Sequence, residues 1–331
     1  MIFAELPLAQ AEGALLAHSI LLGGRRVAKG SPVDAELLAA ARAAGIERLW
    51  AARLEPGDVP EAEAAAGLGA RLAGPGVAAR PPVHGRVDLV ATIPGLLAFE
   101  SRAVDALNGA GEAAGLATLP PHVPVAAGDL VATLKIMPYA VPAGEMAALL
   151  AAARPLSVAG WRPGLSARLL QTQGCDGDAS GKAADKTARV TGARLARLGV
   201  AMARPAPVAH AVTPLAAALR QANEPLVLVA GAAATSDRRD VVPAAIEAAG
   251  GELVRVGLPV DPGNLLVLGR LGDRIVIGLP GCARSPKRNG LDLVLERWAA
   301  GLPLDSARLA GLGVGGLLEG GGAAVPWGGA G

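Results

Sequence analysis

The loop Gly231–Asp240 combines small, hydroxyl-bearing and charged residues, and it directly follows the wholly apolar segment Leu226–Ala230. Gly231 and the alanines after it let a ligand approach the backbone, while Thr235 and Ser236 offer hydroxyl groups. A helix is predicted to begin where this loop ends, and the free N–H groups of a helix start suit an anion. The order of strand, loop and helix therefore predicts an anion-binding loop.

The charged end of this loop has two interpretations. Arg238 and Arg239 could neutralise a phosphate, because guanidinium groups bind phosphate oxygens in a fork geometry. Alternatively, Asp240 is an ordinary N-cap of the following helix and both arginines lie in solvent. We favour the first interpretation, with Arg239 in contact with the ligand.

A second basic loop, 279–289, follows the predicted strand RIVIG. It contains the turn Pro280-Gly281, the hydroxyl of Ser285 and cations that include Lys287. The carboxyl ends of parallel strands meet at one edge of a sheet, so both loops would face the same ligand. Together they imply a ligand that carries phosphate, whereas the second loop alone could equally be a solvated turn before a helix.

The segment 260–264 is a turn by composition, and it carries Asp261, Gly263 and Asn264. In a functional interpretation, Asp261 faces the pocket and binds a hydrogen-bond donor or a metal. Gly263 and Asn264 would then lie close to the ligand.

An acidic segment, 171–185, lies between a predicted strand and a predicted helix, and it carries Asp176, Asp178 and Asp185. Each could supply a carboxylate to a ligand. For Asp185 the alternative, and the simpler interpretation, is the N-cap of the helix predicted over 185–198.

Zinc and disulfide chemistry are disfavoured by the cysteine and histidine content. The chain has two cysteines, Cys175 and Cys282, which are too few for a disulfide framework or a cysteine-based zinc site. The four histidines have no His or Cys neighbour at metal-ligand spacing and are expected at the surface or in caps; they are His18, His84, His122 and His210.

Residues 164–305 predict the scaffold that brings these loops together. Strands and helices alternate there: strands at 167–172, 226–230, 253–256 and 274–278, and helices at 185–198, 215–221, 242–249 and 289–300. This alternation predicts an α/β fold with a doubly wound, mainly parallel sheet. A linker is predicted at 154–163, and the glycine-rich stretch 306–331 reads as a tail.

Residues 1–155 predict a smaller α+β region with short β runs. Helices are predicted at 34–44 and 60–73, because a glycine follows the last turn of each. The prolines within 120–142 predict edge strands or a small barrel there rather than a central sheet.

Composition excludes several classes of protein. Hydrophobic residues make up 52% of the 331-residue chain, so it is not disordered, and a net charge of +2 gives no basis for nucleic-acid binding. The apolar runs are too short to span a membrane, and the first residues do not resemble a signal peptide. A cytoplasmic location is therefore expected.

Residues 164–303 resemble the molybdopterin-binding domain shared by molybdopterin adenylyltransferases and molybdopterin molybdotransferases. In that family a Gly-Gly-x-Ser/Thr-x-Gly loop and an Asp follow a buried strand, and a Leu-Pro-Gly-x-Pro loop follows a later one. The matching positions here are Gly231, Thr235, Ser236, Asp240 and Leu279-Pro280-Gly281, and Thr187 stands where the family's Asp-x-Asn helix has Asn. The N-terminal region resembles the start of molybdotransferase-type proteins. The whole chain resembles a stand-alone relative of proteins fused to a molybdenum-cofactor cytidylyltransferase-like domain.

The resemblance implies molybdopterin or the molybdenum cofactor as ligand, with Mg²⁺ and ATP as further reactants. It implies that Asp240 or Asp261 positions magnesium or molybdate as a catalytic group, while Arg239 and Lys287 stabilise phosphate charge. A molybdenum-cofactor nucleotidyltransferase or an apo-molybdoenzyme would be the partner protein, and a homo-oligomer, dimer or trimer, is expected.

Three functions follow as hypotheses. The first is an enzyme of molybdenum cofactor assembly that adenylylates molybdopterin or inserts molybdate. The second is a non-catalytic module that holds the cofactor and hands it over. The third is a nucleotide-diphosphate hydrolase of the pyridine-nucleotide recycling type.

Overall fold

A computed structural model describes residues 1–174 and 181–318 of the chain. The chain divides into two compact units, Met1–Val158 and Ala159–Gly331. Each unit has its own hydrophobic core, and each is described separately below. The predicted linker 154–163 is partly a strand, Ser157–Gly160.

The first unit is built from short strands and five α-helices. The strands are β1 (Ile2–Pro7), β2 (Leu15–Leu16), β3 (Ile20–Leu22), β4 (Arg25–Val27), β5 (Arg48–Arg53), β6 (Asp58–Pro60), β7 (Val77–Ala79), β8 (Arg86–Ala91), β9 (Gly95–Ala98), β10 (Ala114–Thr118), β11 (Pro124–Val125), β12 (Leu130–Ile136), β13 (Ala140–Pro142) and β14 (Ser157–Gly160). The helices are α1 (Leu8–Ala11), α2 (Ala35–Ala43), α3 (Glu61–Leu72), α4 (Ser101–Asn108) and α5 (Ala143–Ala152).

Small antiparallel sheets dominate this unit, as the prediction of an α+β region with short β runs requires. Their strand orders are β1-β5-β2, β10-β12-β8-β7 and β11-β9-β14, with the pairs β13-β6 and β3-β4. The prediction of edge strands within 120–142 was wrong for β12, which lies between β10 and β8. Pro124, Pro138 and Pro142 all fall outside β12, so every residue of that strand can donate to a neighbour.

The second unit alternates strands and helices. Its strands are β15 (Ser166–Gln173), β16 (Ala201–Met202), β17 (Ala206–Ala209), β18 (Leu226–Ala230), β19 (Glu252–Val256), β20 (Val267–Leu271) and β21 (Arg274–Gly278). Its α-helices are α6 (Gly181–Arg197), α7 (Val212–Gln221), α8 (Val241–Ala248), α9 (Gly290–Ala299) and α10 (Ser306–Ala310), and one 3₁₀ turn spans Gly281–Arg284. A second 3₁₀ turn, Gly311–Gly313, lies in the stretch predicted as a tail.

The seven strands form one sheet in the order β16-β15-β18-β21-β20-β19, with β17 also paired to β15. Strands β15 to β18 and β21 pair in parallel, whereas β19 and β20 are antiparallel, so the prediction of a mainly parallel sheet is confirmed. β16, β17 and β20 were not predicted as strands.

Helices cover both faces of this sheet. Alternate residues of β18 belong to two different cores, Leu226 and Leu228 to one and Val227 and Val229 to the other. The first core includes residues of α6 and α9, and the second includes residues of α7 and α8. All five residues of β18 are buried, which explains why this strand is apolar throughout.

Four parallel strands end at the same edge of the sheet. Gln171 is level with Ala230, and Val229 is level with Gly278, so β15, β18 and β21 end side by side. β17 ends at the same level, with Ala209 opposite Gln173. The residues that follow these strands are therefore neighbours in space.

An ion pair between β15 and the segment just before β18 gives a pH-dependent prediction. Arg168 of β15 donates through Nε and Nη2 to the two carboxylate oxygens of Glu224, at 2.8 and 2.7 Å. These hydrogen bonds hold the pKa of Glu224 below its usual value. A carboxylate with a pKa lowered by folding stabilises the fold above its unfolded pKa, and this contribution is lost as pH falls through the folded pKa.

We expect Glu224→Gln to lower the free energy of unfolding by about 0.5–1 kcal/mol at neutral pH, because Arg168 is partly exposed and the pair is screened. The difference from the parent protein should shrink as the pH falls through the folded pKa of Glu224. Urea denaturation at several acidic pH values measures this, with the exposed Glu252→Gln as a control that should match the parent. A deficit of constant size at every pH would contradict the assignment.

Among the described residues, no helix has the length and apolar character needed to cross a membrane.

Candidate functional site

A cavity of about 190 Å³ opens at the carboxyl edge of the second unit's sheet. Its wall comes from the end of β18, the loop after it, the loop after β21 and one residue of α6. The lining residues are Thr187, Ala230, Gly231, Ala232, Ala233, Ala234, Leu279, Pro280, Gly281, Ala283 and Arg284. The two loops that the sequence singled out therefore meet in one wall. This volume is smaller than the roughly 300–1,000 Å³ of sites that hold a drug-sized ligand. The cavity therefore has room for one small group of a ligand, such as a phosphate.

The loop after β18, part of which lines this cavity, has backbone N–H groups without a partner in the described part of the chain. The N–H groups of Ala233, Ala234 and Thr235 have no hydrogen-bond partner among the residues that the structure describes. The N–H of Ala232 instead donates to Thr172 Oγ1 at 2.7 Å, which ties the start of the loop to β15. Unpartnered N–H groups beside a cavity are the donors that an anion requires.

Arg284 connects the two loops and brings a positive charge to the cavity. Its Nη2 donates to the carbonyl oxygen of Gly231 at 3.0 Å, across the space between the loops. The side chain is exposed and lines the cavity, so its other N–H groups can reach a ligand. An arginine in this position can bind a phosphate in a fork geometry.

A buried arginine of α6 holds the second loop in place. Arg194 is 2% exposed and donates through Nη1 to Ala283 O at 2.8 Å, and through Nη2 to Ser285 O and Lys287 O at 2.7 and 2.8 Å. Its Nε donates to Asp292 Oδ1 at 2.9 Å. One side chain therefore fixes three carbonyl groups of the loop.

The same loop ends in a capping box at the start of α9. The side chain of Asn289 accepts from Leu291 N at 3.0 Å, and Asp292 Oδ2 accepts from Asn289 N at 2.9 Å. Asp292 thus joins the helix cap to Arg194, and it is 3% exposed. Within the loop, burial raises the pKa of the Cys282 thiol, which keeps it protonated near neutral pH.

The structure places three of the predicted ligand-binding residues in the cavity wall: Gly231, Pro280 and Gly281. Thr235 is buried at 8% exposure and Ser236 is exposed, and neither lines the cavity. Arg239 lies in solvent with a side chain 91% exposed, and it is paired with Asp237 at 2.8 Å.

The two predicted catalytic aspartates have different surroundings. Asp240 caps α8: Oδ1 accepts from Val241 N at 2.8 Å and Oδ2 accepts from Ser236 N at 3.3 Å. The alternative reading of Asp240 as an N-cap is therefore what the structure shows. Asp261 is exposed, and its backbone pairs with Gly316 and Leu318.

Gly263 and Asn264 belong to the turn after Asp261. Gly263 has φ +126° and lies so close to Gly290 that an added Cβ would fall 2.3 Å from the Gly290 nitrogen. This glycine is required by the close packing of the turn on the start of α9. Asn264 is exposed, and its carbonyl accepts from Leu258 N.

Three further predicted residues belong to elements that contribute to the cavity wall, but they do not line it themselves. Asp185 is exposed inside α6, because the helix already begins at Gly181, so its interpretation as the N-cap was wrong. Ser285 and Lys287 contribute the carbonyl groups that Arg194 binds. The carboxylates proposed at Asp176 and Asp178, and Cys175, lie outside the described residues.

The sequence did not identify Arg194 or Thr172 as site residues. An arginine in a polar helix is ordinarily solvent-exposed, and a threonine in a strand is ordinary as well. A retrospective signal is the helical spacing of Thr187, Thr191 and Arg194, which places them along one side of α6.

Thr191 offers a test of this side of α6. Its Oγ1 is the one buried side-chain polar atom that lacks a hydrogen-bond partner in the described part of the chain. We expect Thr191→Val to raise the free energy of unfolding by about 1 kcal/mol, because valine keeps the shape and removes an unsatisfied hydroxyl. Thr187→Val is the matched control, since Thr187 Oγ1 donates to Ala183 O at 3.0 Å and should not gain in the same way. Urea denaturation measures both, and destabilisation by Thr191→Val would show that its hydroxyl is satisfied.

Within the described residues, no group of three or more His, Cys, Asp or Glu side chains is arranged to hold a metal ion.

Comparison with known proteins finds a family model that resembles part of the second unit. A search of the curated proteins found no match. One similar solved structure is that of Molybdenum cofactor biosynthesis protein B, at 15% identity and a TM-score of 0.29, covering 41% of this chain and 93% of that one. Another is the molybdopterin biosynthesis moea protein from Pyrococcus horikosii, at 15% identity and a TM-score of 0.32, covering 91% of this chain and 76% of that one.

Residues 165–299 match the model of the family described as Probable molybdopterin binding domain. This segment, which contains the sheet edge and its cavity, is therefore similar to the domain that this family model describes.

Proposed function

We propose that the second unit binds molybdopterin or a form of the molybdenum cofactor by its phosphate, and that the chain acts in the biosynthesis or handling of this cofactor. The observation that carries the proposal is the cavity where the two loops meet. Its lining includes Arg284 and also Ala233 and Ala234, whose N–H groups have no partner among the described residues. The family match of residues 165–299 supports molybdopterin as the ligand.

The residues of the cavity fit a phosphate group. The N–H groups of Ala233 and Ala234 would bind two of its oxygens, and Arg284 would balance its charge. The cavity's small volume leaves the pterin and the dithiolene outside it, along the open edge of the sheet.

Among the three hypotheses, holding and hand-over of the cofactor has the better support. Both carboxylate oxygens of Asp240 already accept backbone N–H groups at the start of α8, so this side chain acts as a cap. The proposal therefore includes neither magnesium nor ATP. A partner nucleotidyltransferase or apo-molybdoenzyme would receive the cofactor.

Calorimetric titration of the full chain tests the proposal. Molybdopterin should bind, and the same pterin without its phosphate should bind at least about tenfold more weakly, because a charge-assisted contact is lost. Equal affinity for the two ligands, or no binding of either, would refute it. Adding ATP, magnesium and molybdate then separates the roles, since an adenylylated or metallated product would identify an enzyme rather than a holder.

A further inference from the structure

The first unit contains a cavity that is larger than the one at the sheet edge of the second unit. Its volume is about 560 Å³, which lies within the range of roughly 300–1,000 Å³ that is typical of small-molecule sites. The lining comes from α4 and the two residues before it, the end of α3, β10 and the segment at the end of α5. All of these residues belong to the first unit, so the cavity is separate from the candidate site described above.

Most of this lining is apolar. Leu72, Leu116 and Leu156 belong to the core of the first unit and are at most 5% exposed. Phe99 and Val104 are partly buried and pack against the same core. These side chains favour a ligand with an apolar body, because contact with it removes apolar surface of both partners from water.

Three charged side chains line the same cavity, Glu100, Arg102 and Arg154. The guanidinium group of Arg154 is held through Nη1, which donates to Ala151 O at 2.6 Å and to Ala153 O at 3.0 Å. Its Nε and Nη2 form no hydrogen bond with any residue that the structure describes. The side chains of Arg102 and Glu100 also lack a hydrogen bond or ion pair within the described ranges 1–174 and 181–318.

The charges of this lining select the ligand's charge. Two guanidinium groups and one carboxylate leave one positive charge in excess, and both arginines have N–H groups without an acceptor in the described part of the chain. Guanidinium groups bind carboxylate and similar oxyanions in a fork geometry. A second negative charge on the ligand would be repelled by Glu100. The complementary ligand is therefore an anion with a single charge.

We propose that this cavity binds a small molecule with an apolar ring body and one singly charged anionic group, which Arg102 and Arg154 hold while the body contacts the leucines and Phe99. The proposal is independent of the proposed function, because no residue of the second unit lines the cavity.

A matched pair of fluorescent probes tests the proposal on the full chain. Anilinonaphthalene sulfonate has an apolar ring body and one negative charge, and phenylnaphthylamine has the same rings without the sulfonate. Fluorescence titration should show one site per chain for the sulfonate. The uncharged probe should bind at least about tenfold more weakly, as expected for the loss of a charge-assisted contact. Equal affinity for the two probes, or no binding of the sulfonate, would overturn the proposal.

Charge variants of the lining should change the affinity for the sulfonate in opposite directions. Arg102→Gln and Arg154→Gln should each weaken its binding by about five- to tenfold and leave phenylnaphthylamine unaffected. Glu100→Gln should tighten it by about two- to threefold, because a repulsive exposed charge is removed. Arg42→Gln, at an exposed arginine that does not line the cavity, is the control and should match the parent protein. Charge variants that all match this control would refute the role of the arginines.

A blocking variant tests whether the probe occupies this cavity. Ala106 is an exposed lining residue of α4, so Ala106→Trp should fill the opening without disturbing the core and should abolish binding of both probes. Ala147→Trp is the matched control, since Ala147 is an exposed alanine of α5 outside the lining. Urea denaturation shows whether both variants are folded. Binding that survives Ala106→Trp in a folded protein would place the probe elsewhere and refute the proposal.

Discussion

Arg194→Met is expected to lower the free energy of unfolding by about 3–5 kcal/mol, because it removes the cation from a buried ion pair. Arg194 and Asp292 are 2% and 3% exposed, so the abandoned carboxylate cannot recover its hydration without local unfolding. The carbonyl groups of Ala283, Ser285 and Lys287 would lose the same donor. Methionine fills most of the volume, so the loss is electrostatic and not a cavity effect.

Arg197→Met is the matched control for this prediction. Arg197 lies one helical turn away, is 46% exposed, and contacts the same Asp292 oxygen at 3.4 Å. Because the contact is longer and reaches solvent, its loss should cost less than about 1 kcal/mol. Chemical denaturation of both variants compares the two positions, and a similar loss for both would show that Arg194 has no special role.

Arg194→Lys separates the charge from the geometry. Lysine keeps the positive charge near Asp292 but cannot reach the four acceptors that the guanidinium group binds at once. Its stability should fall between those of the parent protein and Arg194→Met. If Arg194→Met does not fold, the lysine variant still tests the prediction, and full parental stability would contradict it.

The fold of the second unit follows from local sequence to a large extent. Leu226–Ala230 was assigned correctly because a strand buried on both faces must be apolar throughout. β17 and β20 were not recognised, since Ala206–Ala209 includes a proline and Val267–Leu271 includes a glycine and an arginine. These segments form strands because they pair with neighbouring strands of the sheet. A short sequence window does not show which segments those neighbours are.

The candidate site was predicted only in part, for the same reason. The two loops were recognised because their residue types follow strand ends, and Gly231 and Pro280 do line the cavity. The groups that hold them depend on contacts between distant segments: Arg194 binds residues about ninety positions away, and Thr172 binds the N–H of Ala232. Periodicity and composition do not encode such contacts, so a buried arginine and a solvated one have the same sequence signature.

The charged side chains of the two loops differ in what they contact. The loop after β18 carries Arg238 and Arg239, yet Arg239 is engaged with Asp237 in solvent. That ion pair raises the pKa of Arg239 and lowers the pKa of Asp237, so the two charges largely neutralise each other. The cavity instead receives its positive charge from Arg284, on the other loop.

Arg284→Ala is therefore expected to weaken molybdopterin binding by about 1–3 kcal/mol, or roughly five- to 150-fold, if the ligand's phosphate occupies the cavity. The variant removes the cation of the cavity wall and also the hydrogen bond to Gly231 O that connects the loops. Arg284→Gln keeps a donor for Gly231 O and removes the charge, so its affinity separates the two contributions. Most of the loss should persist in the glutamine variant, because a phosphate responds to charge more strongly than to the bridge between loops.

Arg239→Ala is the control that distinguishes the two arginines. The sequence favoured Arg239 as the phosphate contact, whereas the geometry favours Arg284. Both side chains are exposed, and both residues belong to loops at the same sheet edge. Calorimetric titration of the two alanine variants with molybdopterin decides between them. An unchanged affinity for Arg239→Ala with a weakened Arg284→Ala would place the phosphate between the two loops, and the reverse result would move it out of the cavity to the start of α8.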